Sequence, residues 1–212
     1  MPTFNLAGIY AITDDGLSLG RSVIEVVDQL LQSGIRTIQY REKDKSAGAM
    51  LEDCRRIRFM TREAGCVFLV NDHVDIAMLC DADGVHVGQD DLPLPAVRSL
   101  LGPDKIIGLS THSPEQAAAA VTAGADYIGV GPIYATSTKK DVCAPVGLGY
   151  LDHVVTHYPG LPFTAIGGIK RHNLAEVLRH GARCVSLISE IVSAPDIRSR
   201  VAELENIMKE QA

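Results

Sequence analysis

The sequence predicts an α/β fold, a single (β/α)8 barrel occupying residues 1–212. Short β-branched, apolar runs alternate with longer stretches of helical period, which implies parallel strands joined by crossover helices. About eight such units fit along the chain with short loops and no linker-like stretch to divide it. The length, 212 residues, lies near the lower limit for a closed barrel. With about eight strands, closure is favoured over an open doubly wound sheet, and no second domain is expected.

Strands are expected at Gly8–Thr13, Thr37–Tyr40, Val67–Asn71, Gly84–Val87, Ile106–Ser110, Tyr127–Val130, Pro162–Ile166 and Cys184–Leu187. Behind the first strand, "SVIEVVDQLLQSG" sets Val23, Val26, Val27, Leu30 and Leu31 on one helical face and stops at Gly34, a terminating glycine. "SPEQAAAAVTAG" offers Ser113 as N-cap, Pro114 at the first helical position and Gln116 at the capping-box position, and it stops at Gly124. "HNLAEVLRHG" repeats the pattern and ends at Gly181. The stretches "AAAAVTAGADYIGVG" and "LAEVLRHGARCVSLIS" resemble each other as helix, Gly-Ala, strand.

Composition narrows the function classes. The net charge is -6, so a nucleic acid held by bulk electrostatics is excluded as a partner, and any bound phosphate must be caught by a local cluster. Hydrophobic residues make up 46% of the chain, in keeping with a soluble globular protein. The five cysteines are scattered and show no paired spacing, which fits reduced thiols in the cytoplasm better than a disulfide frame or zinc site. The N-terminal "MPTFNLAGIYAITDDG" does not read as a signal peptide, and no apolar run is long enough to span a membrane. Oligomeric state is left open, a homo-oligomer included.

The polar residues gather at strand ends, where a (β/α)8 barrel keeps its reactive face. The second strand runs into "QYREK", in which Gln39, Arg41 and Lys43 share one face and Tyr40 and Glu42 the other. Burying that face for stability would leave costly unpaired charge. The alternative, that the strand has ended and these are solvated loop charges, is equally open on these residues alone. The third strand ends at Asn71 and Asp72, and Asp91 follows the fourth. Loops after neighbouring strands about 5 Å apart can bring both carboxylates to one hard cation such as Mg2+. Taken singly, each aspartate reads better as a helix or turn cap. His86 lies inside the fourth strand and reads as a hydrogen-bonded core residue. Ser110 ends the fifth strand at the mouth. "TSTKK", Thr136 to Lys140, follows the sixth. Gly167 and Gly168 bare the backbone after the seventh strand, and Ile188 and Ser189 open a helix after the eighth, so both suit an oxyanion. No Ser–His–Asp or Cys–His arrangement is apparent, so the chemistry should be positioning and charge stabilisation around a leaving diphosphate.

"QYREK", "ND", "HVGQDDLP", "GLSTHS", "GADYIGVGPIYATSTKK", "AIGGI" and "VSLIS" stand in the order and approximate spacing of thiamine phosphate synthases, and the resemblance runs from about Ile9 to Ile191. Each motif is weak alone; seven in register are specific. The resemblance implies a transferase that joins two small phosphorylated substrates, 4-amino-2-methyl-5-(hydroxymethyl)pyrimidine diphosphate and hydroxyethylthiazole phosphate, to give thiamine phosphate and pyrophosphate with Mg2+ as cofactor. It implies that the "QYREK" segment, Gln39, Tyr40, Arg41, Glu42 and Lys43, meets the pyrimidine diphosphate together with Asn71, Ser110 and Lys139. Arg41, Lys43, Ser110 and Lys139 would be the catalytic donors, and Asp72 and Asp91 the metal ligands. Thr136, Ser137, Thr138, Gly168, Ile188 and Ser189 would meet the thiazole phosphate. The rival reading is a thiazole tautomerase, which carries a histidine where this chain has Pro132. A phosphate-binding barrel without catalysis is a second rival, and the "QYREK" cluster with two acidic strand ends argues against it.

Overall fold

The computed structural model describes residues 6–138 and 143–211. Lys139 and Lys140 of the "TSTKK" segment lie outside the described residues. Eight parallel strands form a closed barrel in sequence order: β1 (Gly8–Ile12), β2 (Thr37–Tyr40), β3 (Val67–Asn71), β4 (Gly84–Val87), β5 (Ile106–Thr111), β6 (Tyr127–Val130), β7 (Phe163–Ile166) and β8 (Cys184–Leu187). β8 closes on β1 through Gly8 opposite Cys184 and Ala11 opposite Leu187. The expected strands coincide with these in five cases. In β1, β5 and β7 they differ by one residue at one end.

Each strand is followed by at least one helix: α1 (Val23–Gln32), α2 (Ala47–Glu63), α3 (Val74–Leu79), α4 (Leu94–Leu101), α5 (Pro114–Ala123), α6 (Gly147–His157), α7 (Leu174–Arg179), and then α8 (Ser189–Val192) and α9 (Ile197–Glu210). Local chemistry explains several boundaries. Ser22 and Glu25 form a reciprocal capping box at the start of α1, worth about 1 kcal/mol. Ser113 caps α5, but the Gln116 carboxamide accepts the backbone N–H of His112 at 2.7 Å instead of completing a box with Ser113. Gly124 ends α5 in the left-handed conformation, with φ 79°.

Strand alternation sorts the apolar residues into two cores. One lies between barrel and helices and takes Ile9, Ala11, Ile38, Phe68, Val70, Val85 and Ile107 with the inner faces of the helices. The other fills the barrel and takes Tyr10, Ile12, Leu69, Tyr127 and Cys184. The interleaving of Ile9, Tyr10, Ala11 and Ile12 between the two is the period of two made visible. Tyr40 falls on the helix side. It is buried there, and its hydroxyl donates to Asp53 of α2 at 3.1 Å.

The barrel interior is crowded at one point. A side chain on Gly108 of β5 would overlap the Tyr127 ring. Gly108→Ala is therefore expected to destabilise the protein by about 1–3 kcal/mol through overpacking. The check is a urea titration showing a lower midpoint at unchanged slope; an unmoved midpoint would mean that the ring shifts at no cost.

Candidate active site

The C-terminal ends of the strands enclose a cavity of about 360 Å3. Its floor is the polar part of the barrel interior. Gln39 Nε2 donates to the Tyr10 hydroxyl at 2.7 Å, and the hydroxyls of Tyr10 and Tyr127 are 2.9 Å apart. His86 Nδ1 lies 2.8 Å from Tyr127 Oη, and its Nε2 lies 2.9 Å from Ser110 Oγ. Five side chains from β1, β2, β4, β5 and β6 thus form one hydrogen-bonded chain across the barrel. Burial pushes both phenols above their ordinary range, so they act as neutral hydroxyls. The hydrogen-bonded chain ends at the Ser110 hydroxyl, which lines the cavity.

This floor differs from the sequence reading in one respect. Ser110 and His86 do pair, across β4 and β5. His86 is buried and hydrogen-bonded as expected, yet it also lines the cavity. Its second nitrogen faces a phenol, so the pair lacks the carboxylate of a hydrolytic triad.

Above the floor, the end of β2 contributes Gln39, Arg41 and Lys43 to the lining. Arg41 Nη1 pairs with Asp14 at 2.5 Å, and Lys43 Nζ pairs with Asp72 at 2.7 Å. Tyr40 and Glu42, expected with them, are not among the lining residues. The pleat turns Tyr40 beneath α2, and the buried Glu42 carboxylate accepts the backbone N–H groups of Lys43 and Asp44 at 2.7 and 2.9 Å. Both serve the shape of the loop instead.

Asn71 and Asp72 from β3 line the cavity beside Gly88, Gln89, Asp90 and Asp91 from the end of β4. Asp72 has φ 60°, a left-handed conformation that costs a non-glycine residue about 1–3 kcal/mol. Its N–H is tied to the His86 carbonyl at 2.9 Å, and its carboxylate reaches Lys43 instead of capping α3, whose first turn has no side-chain cap. Asp91 Oδ2 accepts the Gly88 N–H at 2.7 Å, so this aspartate does cap its own turn. Gln89 ties the same loop to the Ser110 carbonyl at 2.6 Å.

The opposite wall comes from the loops after β6, β7 and β8. Thr136, Thr138, Gly168, Ile188 and Ser189 line it. Ser137 is exposed and is not among the lining residues. The loop after β6 is stitched to the end of β7: Ile133 and Tyr134 N–H groups donate to the Ile166 and Gly167 carbonyls, each at 2.9 Å. Gly168 has φ 64°, and a Cβ there would come within 2.5 Å of the Ala135 carbonyl oxygen and 2.8 Å of Tyr134 Cβ. The glycine is thus required by close packing of the β6 loop, a reason different from the bare phosphate approach read from sequence. Lys170 also lines this wall and donates to Ser189 Oγ at 2.7 Å. Tyr10, Tyr127, Gln89 and Lys170 were not among the expected site residues. Strand register brings in the two tyrosines, and the loops after β4 and β7 bring in Gln89 and Lys170.

A family model described as thiamine monophosphate synthase matches residues 9–191. The chain belongs to the thiamine monophosphate synthase family. Membership places it among the transferases that form thiamine phosphate. Family relatives include the thiamine-phosphate synthase of Lawsonia intracellularis, 65% identical over 93% of this chain and 91% of that protein. The thiamine-phosphate synthase of Pelotomaculum thermopropionicum is 61% identical over 95% and 92%. Among solved structures, the thiamine phosphate pyrophosphorylase from Pyrococcus furiosus superposes with a TM-score of 0.88 at 36% identity, covering 97% of this chain and 96% of that one. Among the described residues, no helix is long and apolar enough to cross a membrane.

The family cavity also holds a thiol. Cys143 is exposed and lines the cavity, whereas Cys54, Cys66, Cys80 and Cys184 are buried, with burial pushing the Cys66 and Cys184 thiols up to about 12. Brief treatment of the native protein with iodoacetamide at pH 8 should therefore label Cys143 ahead of the other four. Mass spectrometry of the digest reads this directly, and early labelling at a buried position would contradict the packing.

Proposed function

We propose that this cavity condenses 4-amino-2-methyl-5-(hydroxymethyl)pyrimidine diphosphate with hydroxyethylthiazole phosphate, giving thiamine phosphate and pyrophosphate. The observation that carries the reading is the division of one cavity into two unlike walls. One wall presents the Arg41 and Lys43 cations and the Asp72 and Asp91 carboxylates; the other presents Thr136, Thr138, Gly168 and Ser189. A diphosphate with a metal suits the first, and a phosphate monoester suits the second. The experiment is pyrophosphate release assayed with both substrates and with each alone; release that does not need the thiazole phosphate would overturn the reading.

In this reading the C–O bond of the pyrimidine substrate ionises, its electron pair leaves with pyrophosphate, and the thiazole nitrogen captures the resulting pyrimidine-methyl cation. The chain's task is to stabilise charge on the leaving group and to hold the nitrogen in line. Arg41, Lys43 and Lys139 supply positive charge, and Asn71 and Ser110 supply uncharged donors. The tyrosine–histidine floor fixes the orientation of Ser110, so its hydroxyl needs no reorganisation during reaction.

Mg2+ fits the acidic corner. Asp72, Asp91, Asp90, Asn71 and Gln89 offer oxygen donors to one cavity. Among the described residues, no three or more His, Cys, Asp or Glu side chains form a metal cage. Mg2+ suits such a corner, because it keeps several waters and substrate phosphate around one or two carboxylates. When bound, it would neutralise diphosphate charge. Asp72→Ala and Asp91→Ala should each lower turnover by about two to three decades. Both should also weaken diphosphate binding in the presence of Mg2+ and not in EDTA, where loss of Asp72 also frees Lys43. Calorimetry in the two buffers separates this from a folding defect, and weakening in both buffers would remove the residue from the metal site.

Lys139 stands on the family motif. Its loss should lower turnover more than it raises the Michaelis constants, because charge on the leaving group develops in the transition state. Lys139→Ala is expected to lose about 100- to 1,000-fold in kcat. Lys140→Ala should lose less than about threefold, the scale of a solvated surface charge. Kinetics at saturating thiazole phosphate decide between the two lysines, and a larger loss at Lys140 would shift the motif by one residue.

A further inference from the structure

Among the described residues, three permanent cations line the cavity: Arg41, Lys43 and Lys170. The first two stand at the end of β2. Lys170 stands across the cavity, beyond β7, on the wall assigned to the thiazole phosphate. The residues that family resemblance gives to that phosphate, Thr136, Ser137, Thr138, Gly168, Ile188 and Ser189, carry no charge. A phosphate monoester brings a charge of about -1.5 to -2 at neutral pH. Placing it among hydroxyls and amides alone leaves that charge uncompensated in a partly desolvated cavity.

Lys170 is held where it could compensate. Its backbone N–H donates to Asn173 Oδ1 at 2.7 Å, while Asn173 Nδ2 donates to the Gly168 carbonyl at 3.1 Å. One asparagine therefore fixes both Gly168 and the root of the lysine. The lysine Nζ donates to Ser189 Oγ at 2.7 Å and lies 3.6 Å from Glu190 Oε2. Glu190 is also paired with Arg200 of α9, so it keeps a cationic partner if the lysine turns away. The lysine side chain remains 35% exposed, which leaves it room to turn.

We propose that Lys170 binds the phosphate of the thiazole substrate and is the residue by which the protein prefers the phosphate monoester to the free alcohol. The proposal rests on the assignment of this wall to the thiazole phosphate. Lys170 reaches the phosphate from beside Ser189, which it already touches, and hands the neutralisation of Glu190 to Arg200. The two contacts on one phosphate, hydroxyl and ammonium, come from the start of α8 and from the loop after β7.

The test is calorimetric binding of hydroxyethylthiazole phosphate and of hydroxyethylthiazole itself to the wild-type protein, Lys170→Gln and Lys170→Arg. A charge-assisted hydrogen bond of ordinary strength predicts that Lys170→Gln weakens binding of the phosphate by about 10- to 100-fold. Binding of the free alcohol should change by less than about twofold, so that the preference falls by nearly the whole factor. Lys170→Arg should retain most of the preference. Equal weakening of both ligands by Lys170→Gln, or an unchanged preference, would overturn the proposal. Turnover is scored separately. Tight, Lys170-dependent binding of the phosphate without pyrophosphate release would sink the synthase reading and leave the lysine assignment standing.

Discussion

A closed parallel barrel leaves each strand residue two destinations, the space inside or the layer under the helices. Everything at the mouth of this molecule depends on that constraint. Polar residues sent inward are largely withdrawn from bulk solvent, so they favour satisfying one another. Gln39, Tyr10, Tyr127, His86 and Ser110 do so in a single line from β2 to β5. The line is long-range in sequence and short in space. It carries the register of the barrel to one serine hydroxyl at the floor of the cavity.

The walls are built by a different device. Asp72 is held at φ 60° by the His86 carbonyl and so points across to Lys43, with the local cost borne by the surrounding backbone bonds. On the far side, the loop after β6 is laid against the end of β7 by two backbone hydrogen bonds and by the close fit over Gly168. That fit ties the hydroxyls of Thr136 and Thr138 to the same backbone that carries Lys170. The two walls therefore share the floor but not their supports, which suits the proposed binding of two different anions.

The strands were legible because their apolar, β-branched runs are short and end in glycine, proline or charge. The helix ends were legible at Ser113 and Gly124 because capping chemistry is local. "QYREK" shows where that legibility ends. The alternation itself separates Gln39, Arg41 and Lys43 from Tyr40 and Glu42, but reading the motif as a unit carried all five toward the ligand. In the structure, α2 and the β2 loop claim the other two. The floor was the least legible part. Tyr10 and Tyr127 look like ordinary strand residues, and only pairing between distant strands shows that their hydroxyls meet. Lys170 was hidden for a similar reason, since nothing in "GGIKRHN" reveals that its ammonium reaches Ser189 on the next strand's loop.

Among the described residues, the lysines and arginine that line the cavity are already paired. Arg41 faces Asp14, Lys43 faces Asp72, and Lys170 shares Glu190 with Arg200. An arriving anion must displace or share an existing carboxylate, so part of its attraction is spent on that exchange. The same exchange runs backwards when the anion departs, because each cation has a partner waiting. Pyrophosphate is multiply charged, and bare cations would hold it long after its bond was broken. In the proposed reaction, guarded cations would soften that hold, and they would let an acidic protein take up a diphosphate without becoming a trap for every phosphate in solution.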